Sequence, residues 1–141
     1  MGDVLTGISI AVESLSICVK TIIILKKFYA SVKDAREELT TMLNLIEKTR
    51  TRLEFIKVTL FEMKRSGQSE ISATFVGTTT ALKTTLRDLI TLASSISNTG
   101  PDITIAKRFK WGVNKSKAQA IIQRLEKQEK DITEEFILFI S

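Results

Sequence analysis

Val4, Ile8, Ala11, Leu15, Cys18, Ile22, Leu25, Tyr29 and Val32 recur at alternating intervals of four and three residues. That spacing excludes a strand, which repeats every two residues, and predicts one long helix from about Asp3 to Val32. Leu5, Val12 and Val19 flank this core face on one side, and Ile10, Ile17 and Ile24 recur every seventh residue on the other. Only a narrow polar stripe remains: Thr6, Ser9, Glu13, Ser16, Lys20 and Lys27. A helix apolar over more than half its circumference needs neighbours on several sides.

The rest of the chain supplies them. Leu39, Met42, Ile46, Thr49, Leu53, Ile56, Leu60 and Met63 repeat the same spacing, so a second helix is expected from about Lys33 to Ser66-Gly67. Asp34 followed by Glu37 suits a capping box at its start, and Gly67 suits a left-handed cap at its end. Arg50 and Glu54 are spaced for an i, i+4 pair. Phe75, Thr79, Leu82, Leu86, Leu89, Ala93 and Ile96 mark a third helix, despite its many threonines and Gly77. Asn98-Thr99-Gly100-Pro101 breaks the chain. A short helical piece is expected over Ile103 to Trp111, with a further break at Gly112 and Asn114. A last helix from about Lys115 follows, with Ala118, Ile121, Leu125, Ile132, Phe136 and Phe139 as its stripe. The expected fold is all-α: an antiparallel four-helix bundle of long amphipathic helices, with a short extra helical turn before the last one. The 141 residues suit one domain, 1–141. The apolar ending Phe136-Ile137-Leu138-Phe139-Ile140 suggests a longer chain, or a partner covering this end.

The sequence has no histidine, which removes the commonest general base and metal ligand. Cys18 sits on the core face without a base to activate it, and reads as a small buried hydrophobe. Glu37-Glu38 and Glu134-Glu135 are adjacent on helices and point about 100° apart, so neither pair converges on one atom. No Cys/His metal spacing and no phosphate-cradling glycine loop is present. The expectation is a non-enzymatic domain with no metal and no cofactor. A lone cysteine fits a reducing compartment. Glu13 and Lys20 interrupt the first apolar run, so it reads neither as a signal peptide nor as a constitutive span, and a cytoplasmic protein is expected. The opening Met1-Gly2-Asp3-Val4-Leu5-Thr6 matches the loose myristoylation pattern, weakened by the acid after the glycine.

The net charge is +5, from 21 bases and 16 acids. Lys107, Arg108, Lys110, Lys115 and Lys117 fall in one stretch without an acid, and removing these five leaves as many bases as acids. With Trp111 between them, they are candidates for contact with an anionic membrane surface, where each base is worth about 1 kcal/mol and tryptophan favours the interface. The balanced remainder argues against a duplex-wrapping protein and against specific nucleic-acid binding. Trp111 is expected to plug the bundle end.

Three stretches in order carry a family resemblance: the weakly polar N-terminal helix from Gly2 to Leu25; Phe28-Tyr29-Ala30-Ser31-Val32-Lys33-Asp34-Ala35 with Glu37-Glu38-Leu39; and Arg108-Phe109-Lys110-Trp111, Lys115-Ser116-Lys117 and Ile121-Ile122-Gln123-Arg124-Leu125-Glu126. Together they resemble the HeLo-like and SesA-type N-terminal domains of fungal signal-transducing ATPases, the NOD-like receptor (STAND) proteins. The resemblance spans essentially the whole chain. It departs at Gly112, where the family often has proline. It implies an effector bundle at the front of a multidomain receptor, acting in regulated cell death, heterokaryon incompatibility or innate immunity. It also implies that clustering gathers copies and that the first helix leaves the bundle to perturb a membrane, with recruitment to the plasma membrane on activation. In such an assembly Glu13 and Lys20 would face a wet interior or pair between copies, while Ile10, Ile17 and Ile24 would meet lipid or a neighbouring copy. The residue pattern alone favours packing of these isoleucines within one bundle. The expected partners are a second copy, an anionic membrane and a regulatory or downstream protein. The alternative is a helical adaptor that docks another protein without touching lipid.

Overall fold

The computed structural model describes the backbone of residues 2–31, 36–97 and 104–140, and the side chains of these except 31, 36, 97 and 104–111. The described elements are β1 (Gly2–Asp3), α1 (Val4–Ser31), α2 (Arg36–Arg65), β2 (Glu70–Ile71), α3 (Ala73–Ser97) and α4 (Thr104–Ile140). The four-helix bundle expected from the spacing is present. Val32 and Asp34, assigned to a core position and a cap, lie outside the described residues, as does the Asn98–Pro101 break.

α1 packs along its length against α2 on one side and α3 on the other, and α3 packs against α4; α2 and α4 meet only sparsely. Consecutive helices run antiparallel. The α1–α3 and α2–α4 edges are therefore parallel, and the cross-links follow that register: Glu13 meets Lys83, Glu38 meets Lys115, and Phe55 lies against Phe136. The connection from α2 to α3 passes beneath the start of α1. It begins with Gly67 at φ 89°, a left-handed cap in which the Gln68 amide donates to the Met63 carbonyl at 2.9 Å. It then forms β2, which pairs antiparallel with β1 through Gly2–Ile71 and Asp3–Glu70. The Val4 amide donates to the Ser69 carbonyl at 2.9 Å, and Asp3 caps α1 by accepting from the Leu5 amide at 3.0 Å.

This clasp explains two glycines. A Cβ on Gly2 would lie 2.4 Å from Val76 Cγ2, and one on Gly7 would lie 2.8 Å from Ile71 Cδ1. Gly2 thus lets β1 sit close against Val76 of α3, and Gly7 lets the side-chain tips of Ile71 and Leu60 lie over the start of α1.

Every core position described on the stripes of α1, α2 and α3 is buried or packed against the core. Phe55, Phe75, Phe136 and Phe139 stack at the end where α4 finishes, with ring centroids 5.5–6.5 Å apart.

One expectation fails. Gly112 and Asn114 do not break the chain, and there is no separate short helix: α4 is continuous from Thr104 to Ile140. A glycine inside a helix costs about 1 kcal/mol relative to alanine. The apolar seam beginning at Ala118 and Ile121 outweighs that cost. The Arg50–Glu54 pair is also replaced. Arg50 bonds Glu47 at 2.8 Å and Lys57 bonds Glu54 at 2.7 Å, both one turn at i, i+3.

Candidate functional site

The first candidate is α1 itself. Val4–Ala30 is long and apolar enough to cross a membrane by length and composition, with 44% of its most apolar 18-residue window buried in the bundle. Glu13 and Lys20 are thus too few to disqualify it on composition. Ile10 is buried, and Ile17 and Ile24 are half-buried against the core, so all three pack within the bundle as the residue pattern favoured. Leu5, Val12, Val19 and Ile23 take the outer face instead and are about half exposed. Lys20 is exposed.

Glu13 does not stand free in solvent. Its carboxylate accepts from Lys83 Nζ at 2.9 Å, lies 3.6 Å from Arg87 and accepts from Ser9 Oγ at 3.4 Å. The Lys83 hydrogen bond holds the Glu13 carboxyl below its ordinary range, reinforced by the ammonium charge. Lys83 and Arg87 both belong to α3, so this ion pair fastens α1 to α3. Sequence reading missed it, because nothing local couples positions 70 residues apart.

α1 also carries polar groups inside the core. Thr21 donates to the Ile17 carbonyl at 2.7 Å, but Ser14 Oγ is buried without a hydrogen-bond partner. Cys18 is fully buried, and burial pushes its thiol up to about 12, so it is a packing residue with little nucleophilic character.

The second candidate is the basic segment. Lys107, Arg108, Lys110 and Trp111 lie on the first turns of α4 rather than in a loop. Their side chains, and the expected Trp111 plug, are outside those described. Lys115 and Lys117 do not share a surface. Lys115 bonds Glu38 of α2 at 2.8 Å and holds that carboxyl below its ordinary range. Lys117 borders the α3 side, beside Asp88 and Arg124. Lys115 is therefore a structural link between helices. Lys26 and Lys27, exposed on the last turns of α1, stand at the same end of the bundle as the start of α4 and extend its positive charge. Antiparallel order makes this so, and the spacing along α1 alone could not reveal it.

The third feature is a groove of about 700 Å³ where α2 and α4 diverge. Glu129 is buried in its floor, 3.6 Å from Lys48 and 3.9 Å from Arg52, and its carboxylate accepts from Thr133 at 3.1 Å. Lys127, Lys130, Glu126 and Glu134 line the walls. Among the described residues no group of three His, Cys, Asp or Glu side chains is placed to hold a metal ion. Comparison with protein-family models, with curated proteins and with solved structures returns no match.

Proposed function

We propose that this chain is a non-enzymatic helical effector domain of the HeLo-like kind, which on clustering binds and perturbs an anionic membrane. The observation that carries the reading is the character of α1. It has the length and apolarity of a membrane span, yet it is held in the bundle partly by an ion pair at its surface, Glu13 with Lys83 and Arg87. Surface pairs of this type are weak, at about 0–1 kcal/mol, and are screened by salt. The rest of the hold is apolar burial against α2 and α3, so α1 would leave the bundle only where clustering sets a membrane beside it that replaces those apolar neighbours. The positive end formed by Lys26, Lys27 and the first turns of α4 would orient the bundle on acidic headgroups.

The test is dye release from vesicles with and without anionic lipid, using the chain alone and fused to an inducible oligomeriser. Release that requires both clustering and anionic lipid supports the reading. The charge-reversed variant K107E/R108E/K110E should lose vesicle binding; undiminished binding would remove the basic segment from the mechanism. No release and no co-sedimentation in either form would favour the adaptor reading. The α2–α4 groove supports that second reading, since its charges of both signs, Lys48, Arg52, Lys127 and Lys130 with Glu126 and Glu134, suit a protein partner of complementary charge.

A further inference from the structure

Leu5, Ser9, Val12, Ser16, Val19 and Ile23 form a continuous exposed line along α1. They repeat at intervals of four and three, the spacing by which one helix seats against another, and large residues alternate with small ones through the middle of the line. The four large side chains are 46–52% exposed. A shallow trough of about 200 Å³ beside Val12 and Val19 is bordered by Arg50, Glu54 and Lys57 of α2, a rim of both signs.

We propose that this line is a self-association surface, on which α1 of one folded copy pairs antiparallel with α1 of a second copy about a two-fold axis beside residue 14. The proposal rests on the self-association part of the function above and not on its membrane part. The occupant follows from the sequence of the line itself. In that register Leu5 faces the partner's Ile23, Ser9 faces the partner's Val19, and Val12 faces the partner's Ser16. Every large residue then meets either a small one or, at the ends, another large one, and the arrangement is identical from both copies, as an isologous contact requires. Exposed Asp3 comes beside the partner's Lys26, and the positive start of each helix lies along the negative end of the other. A parallel pairing would set Ser9 and Ser16 against themselves and bring like charges together at each end. A lipid surface offers no reason for small residues set opposite large ones about residue 14, whereas a second copy does.

The experiment is sedimentation equilibrium of the purified chain, with disulfide trapping. Cys18 is buried and does not interfere. A mixture of the S9C and V19C variants should form a disulfide-linked dimer under mild oxidation. Each variant alone should not, because in the antiparallel register the two copies of residue 9 are offset by about 15 Å along the axis, beyond disulfide reach. V12E/V19E, and the milder V12S/V19S, alter exposed positions and should keep the circular dichroism of the parent while weakening self-association at least tenfold. A 15.8 kDa monomer at all concentrations overturns the proposal. So does a dimer indifferent to both double variants, or trapping by S9C alone. If the chain stays monomeric but V12E/V19E loses vesicle binding, lipid covers the line and the proposal is equally overturned. The fused oligomeriser bypasses this surface, so failure here leaves the dye-release test of the membrane reading standing.

Discussion

At the scale of single residues, α1 combines a surface tie to α3 with an internal flaw. Buried threonines in this bundle solve their polarity locally: Thr21, Thr49, Thr79 and Thr85 each donate to the carbonyl four residues back. Ser14 does not, and its hydroxyl is buried unpaired. Such a group costs about 1–3 kcal/mol of desolvation. S14A should therefore stabilise the domain by about 1 kcal/mol, raising the melting temperature by roughly 3 °C in a scanning calorimetry comparison. Glu13 works in the other direction. Its carboxyl is depressed in the folded state by Lys83, so its contribution is present above the unfolded value of 4.5 and is lost as pH falls through the lower folded value. A carbon-13 titration should place the Glu13 midpoint below 4.5, and E13Q should speed amide exchange in α1 relative to α2 at neutral pH. Glu38, depressed by Lys115, has the same sign, so acidification weakens the α1–α3 and α2–α4 edges together.

At the scale of elements, α4 is the helix whose local chemistry is weakest. Its 37 residues contain Gly112, with no positive φ and open space around its missing Cβ. G112A should stabilise the protein by about 0.5–1 kcal/mol, read from the urea midpoint at unchanged slope. Gly2 and Gly7 look alike in sequence but behave oppositely, because the β-clasp and Leu60 fill the space where a side chain would go. G2A should lower the melting temperature, since the 2.4 Å approach to Val76 pushes β1 away from α3 and strains its pairing with β2. The measurement is the same calorimetric scan, and an unchanged transition would show that β1 does not hold α1.

At the scale of the whole molecule, α1 borders both α2 and α3, whereas α4 is tied mainly to α3. Lys26, Lys27 and the start of α4 stand at one end of the bundle and the phenylalanine stack at the other. The domain's acid response should be graded. Loss of the Glu13 and Glu38 links as the pH falls below 4.5 and through their depressed midpoints should raise clustering-dependent dye release progressively over its pH 7 level. Release that stays at its pH 7 level down to the acid unfolding transition would mean that these links do not restrain α1.

The sequence by itself determined the helices and their buried faces. Heptad spacing from Val4, Leu39 and Phe75 is a local, periodic property, and burial of apolar surface follows it directly. The cap at Gly67 was legible for the same reason, because its left-handed φ is a property of one residue. Tertiary structure decided everything that depended on which helix lies beside which. It carried α4 through Gly112, since packing beyond Ala118 exceeds one glycine's helix cost. It assigned Glu13 to Lys83, split Lys115 from Lys117, and turned Leu5, Val12 and Val19 outward while Ile10 turned in. A helix apolar on three sides has more than one face it could bury, and only the positions of its neighbours choose between them.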